Sequence, residues 1–171
     1  MSIWRTLRAV LALPGVVTLA IPALIVARSG SVRVGWGLPH PWRLIPIAAG
    51  ATAIGGGLLL VGATVRQFHR QGKGTLAPWD PPRHLVVEGV YRRVRNPMIS
   101  GVICVLLGEG LLLGSRPLLA WCLAVGLLNA VYIPLVEEPG LLRRFGDEYR
   151  IYRQNVPRWI PRRRPWQPPW E

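Results

Sequence analysis

Four long apolar segments constrain the fold of this chain more than any other feature of its sequence. They cover residues 9–27, 44–65, 97–115 and 118–136, and Glu109 is the one charged residue inside them. At a rise of about 1.5 Å per residue, each segment is roughly 28 to 33 Å long, which matches the hydrocarbon core of a bilayer. The sequence therefore predicts an all-α, polytopic membrane protein with four transmembrane helices.

The basic residues predict how these helices are oriented. Of the 21 Lys and Arg residues, 17 lie in residues 1–8, 66–95 or 137–171, and the formal net charge is +13. Because cytoplasmic loops carry an excess of Lys and Arg, both termini and the central loop are predicted to be cytoplasmic. Basic residues between apolar segments set topology and meet anionic headgroups, so we expect no nucleic-acid partner. The expected location is the inner membrane of a bacterial cell.

The whole chain, residues 1–171, is predicted to form a single membrane domain. A signal peptide is the alternative for the first segment, because Arg5 and Arg8 precede it, but its length and its two prolines favour a retained helix. The predicted parts are transmembrane helices 1 and 2 in residues 1–65, a cytoplasmic loop in 66–96, transmembrane helices 3 and 4 in 97–136, and a cytoplasmic interfacial helix with a basic tail in 137–171.

The second apolar segment is rich in glycine. Its glycines are Gly50, Gly55, Gly56, Gly57 and Gly62. Small residues allow neighbouring helices to approach closely, an interpretation favoured over a phosphate-binding loop, which requires a strand before it. A homodimer through this helix is an alternative that the sequence leaves open. No alternation of strands and helices is predicted, so a nucleotide-like cofactor would be bound without a Rossmann domain.

The third and fourth segments are predicted to form a helical hairpin. The turn at residues 115–117 is short, which makes the two helices antiparallel neighbours. Reflection of positions about Arg116 places Glu137 at the depth of Arg95, with Glu138 one residue away. We call residues 89–96, which precede the third helix, the cationic segment. This segment and the glutamate pair after the fourth helix are therefore predicted to form two walls of a polar pocket. The alternative is that the arginines only set topology and the glutamates neutralise them.

The sequence after the glutamate pair predicts an amphipathic helix over residues 139–154. Leu142, Phe145, Tyr149 and Tyr152 recur there at spacings of three and four residues, with arginines on the other side. This pattern is typical of a helix that lies in the membrane interface. We expect it to fold back over the pocket.

Four further residues are weighed as candidates for function. Glu109 is predicted to lie about 9 Å from the outer turn, where an ionisable group is costly, so a structural or substrate-channel role is considered. Cys104 and Cys122 lie in apolar segments without ligand spacing, and His84 is the histidine nearest the cationic segment. We predict no metal site from this pattern.

Several short motifs follow one another in the second half of the chain. They are GVYRRVRNP at residues 89–97, the Glu137-Glu138 pair, Leu141, Phe145-Gly146, Tyr149, Tyr152 and Val156-Pro157-Arg158. In this order and spacing, residues 81–161 resemble the superfamily of isoprenylcysteine carboxyl methyltransferases and phospholipid N-methyltransferases. The resemblance implies an integral membrane methyltransferase that binds S-adenosylmethionine between its last helices and tail, and that acts on a lipid or another apolar small molecule.

The resemblance also implies that the Arg95-Asn96-Pro97 segment and the glutamate pair contact the cofactor. The residues predicted to bind the cofactor are Tyr91, Arg92, Arg95, Asn96, Pro97, Met98, Gly101, Glu137 and Glu138. Where the family usually has Arg-His-Pro-x-Tyr, Asn96 replaces the histidine and cannot carry its charge, and Ile99 lacks the tyrosine hydroxyl. No catalytic residue is assigned, and Asn96 and Glu138 are the candidates.

Two other functions are compatible with the sequence. A membrane NADPH-dependent reductase of the sterol reductase type would bind phosphates with the cationic segment. A non-enzymatic module would dock its basic tail on anionic lipid. The paired glutamates favour a positively charged cofactor, and hence the methyltransferase. The methyl acceptor stays open among isoprenylated cysteine, phosphatidylethanolamine, other amine or thiol lipids and small apolar metabolites.

Overall fold

A computed structural model describes residues 11–71 and 85–170 of the chain, and the regular secondary structure in these ranges is helical. This confirms the predicted all-α fold. The α-helices are α1 (Ile21–Ser29), α2 (Leu44–Gln71), α3 (Pro97–Leu113), α4 (Arg116–Tyr132) and α5 (Glu138–Asn155). Two π-helical segments, Leu11–Ala20 and Ile133–Glu137, run into α1 and join α4 to α5, and short 3₁₀ turns lie at Val34–Gly37 and Gly89–Arg92.

Prolines explain where several of these helices begin or change pitch. Pro97 and Pro117 lie in the first turns of α3 and α4, where the missing N–H would have no helical partner. Each π-helical segment contains a proline, Pro14 in the first and Pro134 in the second. A proline inside a helix removes one backbone hydrogen bond and clashes with the carbonyl one turn earlier. The helix is wider than an α-helix at both of these prolines.

The predicted helical hairpin is present. α3 ends at Gly114, which adopts the left-handed conformation (φ 58°) that a residue without a Cβ reaches at little cost. Ser115 follows and α4 begins at once. α2 extends to Gln71, six residues beyond its predicted end at Val65, because the polar residues that follow are compatible with a helix.

The close approach predicted for the second helix occurs between α2 and α3. A Cβ built on Gly57 would lie 2.6 Å from the carbonyl oxygen of Gly101, and one on Gly50 would lie 2.7 Å from that of Gly108. The backbones of the two antiparallel helices therefore touch at two points, seven residues apart on each helix. A Cβ on each of the remaining α2 glycines would meet nothing within 4 Å; these are Gly55, Gly56 and Gly62.

Three stretches of the described chain are long and apolar enough to cross a membrane: Pro14–Gly37, Leu44–Gln67 and Arg116–Asn155. α3 is apolar too, but its 17 residues are fewer than in the other three. At about 1.5 Å per residue it is roughly 25 Å long. The predicted number of four transmembrane helices is therefore not confirmed.

A compact cluster of side chains holds α5 against the segment that precedes α3. Its buried members are Val87, Tyr149, Tyr152 and Val156. Tyr149 and Tyr152 belong to the face of α5 that was predicted to be apolar, so that face is packed against the rest of the protein. This packing brings α5 and the residues after it to the cationic segment that precedes α3.

Candidate functional site

The two predicted walls of the pocket meet at Glu138. This carboxylate is 3% exposed, and its Oε1 accepts hydrogen bonds from Arg95 Nη1 at 2.7 Å and from Arg158 Nε at 2.8 Å. Arg153 Nη1 lies 3.6 Å from Oε2. The predicted proximity of the glutamate pair and the cationic segment is thus confirmed, and Glu138 is the centre of a buried ion-pair cluster.

Two of the three arginines around Glu138 were not among the predicted site residues. Arg153 lies near the end of α5, and Arg158 lies in the tail, which is residues 156–170 of the described chain. The available signal was the Val-Pro-Arg motif at residues 156–158, which was noted only as part of the family resemblance. The composition of the tail predicts a topological or lipid-binding role for its other arginines.

The tail also holds the cationic segment through its main chain. The backbone N–H of Arg95 donates to the Pro157 carbonyl at 2.9 Å, and that of Asn96 donates to the Arg158 carbonyl at 3.3 Å. Arg95 Nε donates to the Val156 carbonyl at 2.8 Å. The segment from Arg95 to Asn96, which the resemblance assigns to the cofactor, therefore rests directly on residues 156–158.

These contacts continue along the tail. The N–H of Arg162 donates to the Arg93 carbonyl at 2.9 Å, and the N–H of Trp166 donates to the Arg92 carbonyl at 2.8 Å. The Trp166 ring lies 5.9 Å from that of Tyr152, measured between centroids. Residues 156–166 of the tail thus lie along residues 92–96 of the cationic segment.

The negative charge of Glu137 acts on the Tyr91 hydroxyl. Burial, with a further contribution from the negative charge of Glu137, raises the pKa of the Tyr91 hydroxyl well above its usual value. Tyr91 is therefore a neutral phenol at physiological pH. Glu137 is half-buried, and within the described residues no ion pair joins it to an arginine or lysine. The two neighbouring glutamates consequently have different surroundings.

Tyr152→Phe is expected to lower the free energy of unfolding by about 1 kcal/mol. The Tyr152 hydroxyl donates to the Tyr91 carbonyl at 2.8 Å, and the variant leaves this carbonyl without that donor. The measurement is chemical unfolding in detergent micelles. Tyr132→Phe is the control, since Tyr132 is 47% exposed. Equal stability of the two variants would show that the bond contributes nothing.

The other predicted site residues are placed as follows. Asn96 precedes α3 without capping it through its side chain, and Met98 is half-buried in the first turn. Pro97 is buried, and Gly101 contacts Gly57 of α2, so the helix packing by itself accounts for both. Their contact with a cofactor stays a prediction.

The remaining candidates lie elsewhere. Glu109 lies about 18 Å along α3 from Pro97, and its buried Oε2 has no hydrogen-bond partner among the described residues. Its role stays a prediction. Cys104 and Cys122 are free thiols. His84 lies outside the described residues. In residues 11–71 and 85–170, no group of His, Cys, Asp and Glu is arranged as a metal site.

Comparison with known proteins places these motifs in one family. A phospholipid methyltransferase profile matches residues 45–148, which include α2, the cationic segment, α3, α4 and both glutamates. A phosphatidylethanolamine N-methyltransferase of Laccaria bicolor is 29% identical over an alignment of 130 residues, and the match covers 71% of this chain but only 14% of the relative's length. No solved structure matches the chain. Because the family profile matches more than half of the chain, the protein belongs to the phospholipid methyltransferase family.

Proposed function

We propose that this protein is an integral membrane methyltransferase that moves the methyl group of S-adenosylmethionine to a lipid or another membrane-partitioned acceptor. The observation that carries the proposal is the cluster of Arg95, Glu137 and Glu138 at the end of apolar helices. Family membership supports it independently. An acidic and cationic cluster at the membrane surface suits a charged water-soluble cofactor whose acceptor is dissolved in the bilayer.

The side chains present fit this cofactor. S-adenosylmethionine carries a sulfonium, an ammonium and a carboxylate, so its site needs negative and positive groups close together. Glu137 is a half-buried carboxylate with no arginine or lysine ion pair in the described part of the chain, which suits a bound cation. The neutral Tyr91 ring beside it presents an aromatic surface that also attracts cations. Arg92 and Arg95 are the groups proposed for the cofactor carboxylate.

Once bound, the sulfonium supplies an activated methyl group that an in-line nucleophile can take. The chain then contributes mainly alignment and exclusion of water. Glu138 is bonded to Arg95 and Arg158, so we assign it to holding the site's geometry instead of moving a proton. Asn96 has no titratable group. If the acceptor is an ammonium headgroup, Glu137 is the carboxylate best placed to accept its proton.

An amine phospholipid is the proposed acceptor. The relative from Laccaria bicolor is named for phosphatidylethanolamine, and the site of this chain lies beside membrane-spanning helices. We also propose that both termini and the site face the cytoplasm, in the inner membrane of a bacterial cell, because 17 of the 21 Lys and Arg residues lie in residues 1–8, 66–95 and 137–171. Contact of Gly55 and Gly62, which are seven residues apart on α2, with a second copy would give a homodimer.

The test is cofactor binding and methyl transfer by the purified protein in detergent with phosphatidylethanolamine. We expect S-adenosylhomocysteine to bind and radiolabelled methyl groups to enter the lipid. Glu137→Gln should weaken S-adenosylhomocysteine binding about tenfold, the loss of one charge-assisted interaction of about 1.5 kcal/mol. Glu148→Gln is the matched control, since Glu148 is exposed on α5.

Two results would contradict parts of this proposal. Equal affinity of Glu137→Gln and Glu148→Gln would remove Glu137 from the cofactor site. A wild-type protein that is stabilised by NADPH and not by S-adenosylhomocysteine would favour the reductase. Binding of neither cofactor, together with liposome association that weakens as salt is added, would favour the docking module.

A further inference from the structure

The side chain of Arg158 links the tail to the centre of the site. Its Nε donates to Glu138 Oε1 at 2.8 Å, the same oxygen that accepts the bond from Arg95. The Arg158 side chain is 28% exposed, whereas Arg153, which lies 3.6 Å from the other carboxylate oxygen, is 44% exposed. Of the two arginines that were not predicted to belong to the site, Arg158 is therefore closer to Glu138 and less exposed to solvent than Arg153.

The main chain of the same residue holds the predicted cofactor segment. The Arg158 carbonyl accepts from the N–H of Asn96, and the two preceding carbonyls accept from the backbone and side chain of Arg95. One residue further on, the Trp159 carbonyl accepts from Ser100 Oγ at 3.2 Å, inside the first turns of α3. Four consecutive tail residues therefore bind the segment from Arg95 to Ser100.

The main-chain contacts and the side-chain contact of Arg158 have different roles: the first attach the tail, and the second orients Glu138. The main-chain bonds do not depend on the side chain at position 158, so a substitution there leaves the tail attached. The side-chain bond, in contrast, orients the Glu138 carboxylate. It also shares the Glu138 Oε1 acceptor between Arg158 and Arg95. Without this bond, Glu138 would keep only Arg95 and Arg153 as partners, and we expect its carboxylate and the Arg95 Nη1 bonded to it to shift.

We propose that Arg158 is a positioning residue of the cofactor site, which holds Glu138 and Arg95 in the arrangement that receives the cofactor. This inference rests on the proposed function, because it assigns Arg158 a part in that same site. Arg158 lies beyond residue 148, where the family match ends. It follows that the tail is a functional part of the methyltransferase unit and is not only a topological signal.

The test compares Arg158→Gln and Arg158→Lys with a control, Arg164→Gln, which changes an exposed arginine of the same tail. The dissociation constant of S-adenosylhomocysteine is measured by calorimetry well below the unfolding midpoint, and KM for S-adenosylmethionine is measured beside kcat. We expect Arg158→Gln to raise the dissociation constant and KM about tenfold with kcat little changed. Arg158→Lys should raise them about threefold, because an ammonium cannot reproduce the guanidinium geometry.

A purely structural role would lower the unfolding midpoint without changing the affinity of the folded protein. Affinity of Arg158→Gln within twofold of Arg164→Gln would therefore overturn the inference. If Arg158→Gln does not fold, Arg158→Lys decides in the same way. Wild-type protein that binds neither S-adenosylmethionine nor S-adenosylhomocysteine would overturn the proposed function and the inference together. Wild-type binding with unaffected Arg158 variants would overturn the inference alone.

Discussion

Glu138→Gln is expected to lower the free energy of unfolding by about 3 kcal/mol, because it removes the buried carboxylate that pairs with Arg95, Arg153 and Arg158. The Arg95 side chain is only 10% exposed, so water cannot replace its lost partner. Arg158 and Arg153 are more exposed, so water can partly replace Glu138 as their partner. The expected loss of stability is therefore at the lower end of the range of about 3 to 5 kcal/mol for a broken buried ion pair. A glutamine side chain offers one acceptor oxygen, and its amide hydrogens would face a guanidinium.

The unfolding free energy of Glu138→Gln can be compared with that of Glu148→Gln, which alters an exposed glutamate on the same helix. The control should change stability by no more than about 0.5 kcal/mol. Cofactor affinity of Glu138→Gln should fall as well, since Arg95 loses its anchor. If Glu138→Gln were as stable as Glu148→Gln, the cluster would not hold the tail, the cationic segment and α5 together.

The adjacent glutamates differ in a way that the sequence does not indicate. Both were predicted to contact the cofactor, and both lie at the junction between α4 and α5. Glu138 is bonded to two arginines, while Glu137 is half-buried next to Tyr91. Successive residues of a helix point in directions about 100° apart, so one carboxylate faces the protein and the next can face a ligand. We therefore expect Glu137→Gln to affect binding more than stability, and Glu138→Gln to affect both.

Much of the fold could be predicted because it depends on patterns of side chains. Long apolar segments predicted the helices, and Pro97 and Pro117 lie where α3 and α4 begin. The short turn at Arg116 predicted the hairpin, and counting from it brought Glu138 within bonding distance of Arg95. The close contact of Gly50 and Gly57 with a neighbouring helix followed from their size.

The docking of the tail could not be predicted in the same way. Its contacts with Arg92, Arg93 and Arg95 are made mostly by main-chain carbonyl and N–H groups, which nearly every residue carries. A proline-rich tail with several arginines has the composition of a topological or lipid-binding segment, and its charge pattern does not distinguish these uses. Arg158 differs from the other tail arginines in belonging to the Val-Pro-Arg motif, but its bond to Glu138 is a property of the folded chain.

Gly57→Val is expected to disrupt the contact between α2 and α3. Its Cβ would lie 2.6 Å from the Gly101 carbonyl oxygen and 2.8 Å from Val105 Cγ2, closer than such atoms normally approach. The oxygen belongs to the backbone of α3, so the helices must move apart for the side chain to fit. Overpacking of this kind costs about 1 to 3 kcal/mol, and we expect the upper end here.

The neighbouring Gly56→Val is a matched control, because a Cβ at Gly56 meets nothing within 4 Å and the change in helix propensity is the same. The two variants are compared by unfolding in detergent and by binding of S-adenosylhomocysteine. α3 begins one residue after Asn96, so a displaced α3 should also weaken cofactor binding, whereas Gly56→Val should leave both quantities near wild type. If the two variants behaved alike, the glycine contact would not determine the position of α3. The Arg95 to Pro97 segment would then depend on the tail alone for its place in the site.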